Sequence, residues 1–344
     1  MRLAAVAAVL IVSCSSVSGP LPSNSGGPTQ AGTRYGVAGL IPPHFPSASA
    51  ADYETLYSSL AGTGGAVGVY TAWADAGKDG APPAVVAASV AAAAKYHFGP
   101  VVVALGVAKD AVGGVSSTVD WSGQQRDRFV SAVTAVAREQ KPEFLALGVE
   151  SNRLWMSDRA AFDGFVKGYA DAYDAIKKVS PSTKVFTIFQ LELMRGSAFL
   201  MTGKQSTPPQ WDLLAKFSGR LDLVGYTTYP FLAYTSPADI PDDYYADAAR
   251  RSPAPVAFTE IGWPSADLGA AAVGSPYGGT PQEQEDFVAR FFALTAAVRP
   301  DLALWSFPND LGAAAPPTFS SIGLRHNDGT PKSALVRWQR SAVK

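Results

Sequence analysis

Cysteine is nearly absent. Cys14 is the only one in 344 residues, so the chain can form no internal disulfide and has no thiolate cluster for a metal. Histidine is scarce as well: His44, His97 and His326 lie far apart and make no zinc-binding pattern. No metal or organic cofactor is expected. Charge is low, at 17% of residues, and balanced, with 28 Lys and Arg against 29 Asp and Glu. A net charge of -1 provides no basic field for nucleic acid or an anionic membrane surface. The apolar run from Leu3 to Val12 is too short to cross a membrane. Apolar material is abundant instead. Hydrophobic residues make up 47% of the chain, which excludes a mostly disordered protein and supplies a large core.

Arg2 ahead of the Leu3 to Val12 run has the pattern of a secretory signal. The run ends in Ile11-Val12-Ser13-Cys14, which resembles the lipobox of bacterial lipoproteins, and that resemblance implies cleavage before Cys14 and lipidation of its thiol. Residues 1–13 are then a signal peptide. Residues 14–33, rich in Ser, Gly and Pro, read as a lipidated Cys and flexible tether that cannot build a core. The expected location is outside the cell, on the outer side of the membrane through the lipid alone, or secreted if Cys14 is unmodified. The folded domain is expected over 34–344, as a monomer.

From Arg34 onward, short apolar or β-branched runs alternate with helical periodicity, which is the pattern of a parallel sheet with helical crossovers. Eight strands are predicted, at 35–40, 66–72, 100–106, 143–150, 184–190, 221–227, 255–260 and 302–307. Helices are predicted at 51–61, 82–97, 122–140, 160–179, 210–218, 241–251, 281–298 and 333–341. Phe129, Val133 and Val136 mark one helix face, and Phe287, Phe291 and Leu294 another. Thr280-Pro281 followed by acidic residues reads as a helix start. The fold class is α/β, a single (β/α)8 TIM barrel.

Barrel active sites lie at the C-terminal ends of the strands. At about 3.3 Å per residue, Glu143 and Glu150 of the fourth strand fall at opposite rims, so Glu143 is a surface charge and Glu150 reaches the mouth. Alternation puts Phe144, Ala146 and Gly148 inward with Glu150, and Leu145, Leu147 and Val149 toward the helices. The same parity sends Val256, Phe258 and Glu260 inward on the seventh strand. Two mouth carboxylates fit glycoside hydrolysis, one as acid and the other facing the developing positive charge. The simpler alternative for Glu150 is a rim charge paired with Arg153.

Thr259-Glu260-Ile261-Gly262-Trp263-Pro264-Ser265 resembles the nucleophile motif of glycoside hydrolase family 17, the endo-β-1,3-glucanases and related transglycosylases. The likeness extends to the retaining glycosidases of clan A, whose acid/base and nucleophile end strands four and seven. It implies that Glu150 is the acid/base and Glu260 the nucleophile. Tyr226-Thr227-Thr228-Tyr229-Pro230-Phe231 resembles the clan's Tyr-Pro segment, so Tyr229 is expected to donate to the nucleophile. Trp305 corresponds to the aromatic floor under the sugar, with an ordinary barrel-plug aromatic as the alternative. Gly323-Leu324 and Asp328-Gly329-Thr330-Pro331-Lys332 look like the approach to the last helix and carry no chemistry. One position departs. The clan places Asn, a ligand of the sugar 2-hydroxyl, just before the acid/base, and here that residue is Val149. Asn152 is the nearby substitute, with a backbone-capping role as its alternative. Family 53, the endo-β-1,4-galactanases, has related segments and leaves Val149 equally unmatched.

The expected activity is retaining hydrolysis or transglycosylation of a β-linked polysaccharide or oligosaccharide, with Glu150 starting protonated and Glu260 ionised. The partner is carbohydrate. Phe45, Trp73, Trp155, Trp263, Phe231 and Tyr234 are candidates to line the cleft, and Glu192, at the end of strand five, is a further candidate for touching a sugar. The alternative is a carbohydrate-binding lipoprotein whose glycosidase-like barrel turns over weakly or not at all, as Val149 permits. A Schiff-base aldolase would want a Lys at a strand end and a metal hydrolase a His cluster, and the assigned strands hold neither.

Overall fold

The computed structural model describes residues 32–75, 80–106, 121, 123–198, 206–267, 279–312, 315 and 317–342. Cys14, the signal peptide and nearly all of the tether lie outside them. Nine parallel strands run in the order β5-β4-β3-β2-β1-β9-β8-β7-β6. They are β1 Arg34–Val37, β2 Ala66–Ala72, β3 Val101–Gly106, β4 Phe144–Leu147, β5 Lys184–Phe186, β6 Ile188–Gln190, β7 Val224–Thr228, β8 Val256–Ile261 and β9 Leu302–Trp305. β5 and β6 are one stretch interrupted at Thr187. β5 pairs with β4 and β6 with β7, so this broken fifth strand closes the barrel. The (β/α)8 expectation holds.

The helices are α1 Ala50–Ser59, α2 Ala84–Lys95, α3 Gly123–Gln140, α4 Ser151–Ser157, α5 Arg159–Val179, α6 Leu191–Arg195, α7 Tyr244–Arg251, α8 Pro281–Thr295 and α9 Ser333–Ala342. The segment predicted as a helix at 210–218 is a 3-10 helix, Trp211–Phe217. α4 and α6 were not expected; they are short, begin right after strand ends, and carry too little periodicity to register. The α8 start is as read: Thr280 accepts from the Glu283 N–H at 3.1 Å, and Pro281 occupies the first turn, where it costs no hydrogen bond.

Alternation sorts the strands into two cores. Ala66, Val102, Ala104, Phe144, Ala146, Phe186, Ala257, Leu302 and Leu304 pack together inside the barrel. Their strand neighbours Val103, Leu105, Leu145, Leu147, Val256, Phe258 and Trp305 pack with the buried faces of the helices, including Phe129, Val133 and Val136 of α3 and Phe287, Phe291 and Leu294 of α8. Burying such an aromatic side chain is worth about 1.5–3 kcal/mol, so this double layer fixes strand positions firmly. At the N-terminal rim Glu143 pairs with Arg34 at 2.6 Å and is half-exposed, a surface charge as predicted.

Two parities need correcting. Val256 and Phe258 face the helices, with Phe258 against Tyr245 and Phe291. Glu260 still points inward because a bulge intervenes: pairing steps from Tyr226↔Phe258 to Thr227↔Glu260 and skips Thr259. Val149 packs against the inner cluster, not the helices. Here strand alternation ends at Gly148, whose φ of +88° breaks the pleat.

Candidate active site

Glu150 and Glu260 come together at the C-terminal mouth. Glu150 lies two residues after Gly148 and itself has a φ of +50°, an uncommon left-handed conformation that turns the chain from β4 into α4. Gly148 has no substitute there, since a Cβ would lie 2.6 Å from Ser151 Oγ and 2.7 Å from Phe165. Thr227 links the two carboxylates. Its hydroxyl donates to Glu150 Oε1 at 2.8 Å, and its backbone pairs in register with Glu260. Arg153 Nη1, one turn along α4, donates to Glu150 Oε2 at 2.7 Å.

Tyr229 donates to Glu260 Oε2 at 2.5 Å, the contact expected of it. Ser306 Oγ lies 2.9 Å from the Tyr229 hydroxyl and 2.9 Å from the Ile261 carbonyl oxygen, which orients the phenol. Gly262 of the Glu-x-Gly-Trp-Pro segment lets the Tyr229 ring approach closely, because a Cβ would sit 3.0 Å from it. Tyr70, inward on β2, donates to the Thr259 carbonyl oxygen at the bulge at 2.8 Å. Burial, and next the charge of Glu260, hold the Tyr70 phenol firmly protonated.

The electrostatics differ from expectation. Burial, with the charge of Glu150 second, pushes Glu260 up to about 8; the Tyr229 hydrogen bond pulls the other way, as predicted, and is outweighed. At neutral pH Glu260 therefore resists ionisation. At Glu150 a hydroxyl and a guanidinium meet the two carboxylate oxygens.

Most of the other sequence candidates are buried in the packing of the fold. Trp305 is fully buried outside the strands, against Phe287 and Trp338, with Nε1 donating to the Ile322 carbonyl oxygen at 2.7 Å. Leu302 and Leu304 take the inward positions of β9, so Trp305 must face outward. Trp263 is fully buried and stacks on Phe287 at 5.3 Å. Trp73 is buried against Trp121 and Phe129. Asn152 is also fully buried, and its amide is used up bridging to Gln190 and Gln210: Nδ2 donates to the Gln190 carbonyl and to Gln210 Oε1, and Oδ1 accepts from Gln190 N–H. It ties α4 to β6 and does not replace the missing Asn.

Glu192 is enclosed as well. Tyr244 at 2.7 Å, Tyr229 N–H at 3.0 Å, Thr228 at 3.1 Å and the Gln190 amide all donate to its carboxyl group. Burial pushes its pKa up against those hydrogen bonds. It supports Tyr229 from behind the mouth. Among the remaining aromatics Phe45 and Phe231 are buried, Tyr234 packs edge-on to Tyr244, and Trp155 is partly exposed beneath Arg159. The sequence reading missed Thr227, Tyr70 and Ser306. Thr227 and Ser306 sit at or just past strand ends and Tyr70 within β2, and inward parity was the available signal for Thr227 and Tyr70.

Among the described residues no group of three or more His, Cys, Asp or Glu is arranged to hold a metal ion, and no helix is long and apolar enough to cross a membrane. No protein-family model and no curated protein sequence matches the chain. Solved structures do. An active-site mutant of Rhizomucor miehei β-1,3-glucanosyltransferase in complex with laminaritriose superposes with a TM-score of 0.58 at 13% identity, covering 88% of this chain and 96% of that one. A family 39 glycoside hydrolase from Bacteroides cellulosilyticus WH2 gives 0.62 at 18% identity, over 88% of this chain and 62% of that one. A GH5_18 variant from Streptomyces cattleya in complex with Manβ1-4GlcNAc gives 0.63 at 13% identity, over 90% and 80%. The barrel is one that glycoside hydrolases use. Identities this low carry the fold and leave the chemistry to the site.

Proposed function

We propose that this chain is a retaining glycoside hydrolase or transglycosylase of β-linked glycans. Glu260 attacks the anomeric carbon as the leaving oxygen takes a proton from Glu150. Water or a sugar hydroxyl then loses a proton to Glu150 as it displaces Glu260 from the glycosyl-enzyme. One observation carries the assignment: Tyr229 donates at 2.5 Å to a carboxyl group that shares the mouth with Glu150 through Thr227. The family 17 likeness of the Glu260 segment supports it, and glycoside hydrolases of several families have the same fold. A second reading, a carbohydrate-binding barrel with weak or no turnover, is favoured by Val149 in the place of the 2-hydroxyl ligand and by the Arg153 clamp on Glu150.

The test is a product screen on β-1,3-glucan, β-1,4-galactan and other β-linked polysaccharides, with Glu260→Ala as control. Products from the wild type that are absent in the variant establish the enzyme and name its linkage; binding without products selects the second reading. We further propose export and anchoring by lipid on Cys14. Cys14→Ser is then expected to move the protein from the membrane fraction to the medium, and an unchanged distribution would remove the anchor.

A further inference from the structure

The placement of Arg153 conflicts with the task of its neighbour. Its Nη1 and Thr227 Oγ1 donate to different oxygens of Glu150, so each oxygen already has a donor, one of them positively charged. Both partners are largely covered, with side-chain exposures of 22% for Arg153 and 10% for Glu150. Arg153 stands on α4, which begins immediately after Glu150, and its charge reaches Glu260 as well. A carboxyl group that protonates a leaving oxygen must hold that proton itself, and a guanidinium on the same oxygen opposes this. Arg153 has to let go before the acid step. A neutral sugar can offer it hydroxyls, which replace a hydrogen bond and not a charge, whereas an anionic substituent replaces both in a geometry suited to the guanidinium fork.

We propose that Arg153 is a specificity-determining residue that recognises an anionic group on the glycan, a carboxylate or a sulfate ester on a sugar beside the scissile bond, and that its transfer to this group frees Glu150. The inference rests on the glycosidase reading. With the guanidinium gone from its oxygen, Glu150 is free to carry the proton that it gives to the leaving oxygen.

Calorimetric titration of the full chain tests this with glucuronate, glucose 6-sulfate, glucose and inorganic sulfate as probes. Glu150→Gln leaves the guanidinium in position without its counter-charge. It is expected to bind glucuronate or glucose 6-sulfate roughly tenfold more tightly than the wild type, by the strength of a charge-assisted hydrogen bond, with glucose unchanged. The tighter of the two names the anion. Arg153→Gln is expected to abolish the preference and Arg153→Lys to keep part of it, each checked for folding by circular dichroism. Equal binding of glucuronate, glucose 6-sulfate and glucose by Glu150→Gln, an anion preference that survives Arg153→Gln, or inorganic sulfate binding as tightly as the sugar anions would overturn the proposal. The readout is binding, so loss of the glycosidase reading registers separately, as an absence of products in the polysaccharide screen.

Discussion

The Tyr229 hydroxyl stands 2.5 Å from Glu260 Oε2 and donates to the mouth carboxyl that burial makes hard to ionise. The phenol is itself held strongly protonated, first by burial and then by the charge of Glu260, so its proton stays available for this bond. A hydrogen bond to a charged group is worth about 1.5–3 kcal/mol. Tyr229→Phe keeps the ring packed on Phe231 and Phe319 and deletes that donor, while Ser306 keeps the Ile261 carbonyl as its partner. The expected result is a loss of roughly 10- to 150-fold in kcat/KM at neutral pH. The acidic limb of the pH profile should also move to higher pH, because ionised Glu260 loses its stabilising partner. A unit change in rate with an unmoved limb would separate Tyr229 from the nucleophile.

The raised Glu260 makes a statement about stability. With a folded value of about 8 against an ordinary 4.5, the folded chain binds more protons than the unfolded chain between those pH values. Stability from this group is therefore fully present below about pH 4.5 and lost as pH rises toward 8, by up to a few kcal/mol. Glu260→Gln removes the titration. In denaturant melts the variant should gain on the wild type steadily from pH 5 to pH 8.5, and parallel curves would mean that Glu260 ionises normally.

Glu192 tests support against sugar contact. Its carboxyl accepts from Tyr244, Thr228, Gln190 and the Tyr229 backbone, with no exposed surface. Glu192→Ala strands those buried donors and should cost about 3 kcal/mol or more. The loss should appear in denaturant melts. A variant of unchanged stability with a raised KM would return Glu192 to the substrate.

How far the sequence could be read depends on the range of the interactions involved. Strand and helix positions follow from local patterns, so all eight barrel strands and the Thr280 cap were legible, as were Glu150 and Glu260 at strand ends. The direction of Glu260 was not, because Val256 and Phe258 face outward and only the Thr259 bulge restores it; a bulge is a property of the pairing with β7, which the β8 sequence does not encode alone. Trp305 illustrates the same limit. Its direction follows from Leu302 and Leu304 being inside, a phase that neighbouring strands set. The pairing of Glu150 with Arg153 was legible from their closeness in sequence, but its fixed geometry was not, because it depends on α4, seven residues too short to announce themselves by periodicity, which bring positions 150 and 153 onto one face.

Lys332, read from sequence as part of a fold marker without chemistry, is a buried ion-pair partner. Its side chain is 2% exposed, and its three donors go to Asp310 Oδ1 at 2.6 Å, Ser265 Oγ at 2.9 Å and the Ser321 carbonyl oxygen at 3.0 Å. Asp310 also accepts from the Gly323 N–H at 2.9 Å, so the pair ties the loops after β8 and β9 to the start of α9. Forming such a pair brings little net stability, because desolvation offsets the attraction, but removing one partner leaves a buried charge without its counterpart. Lys332→Met should therefore lose about 3–5 kcal/mol. Lys332→Met with Asp310→Asn should recover much of that, since Asn keeps an acceptor for Gly323 while dropping the charge. Urea melts of the two single variants and the double variant give the coupling directly, and strictly additive losses would show that Lys332 acts through packing rather than through Asp310.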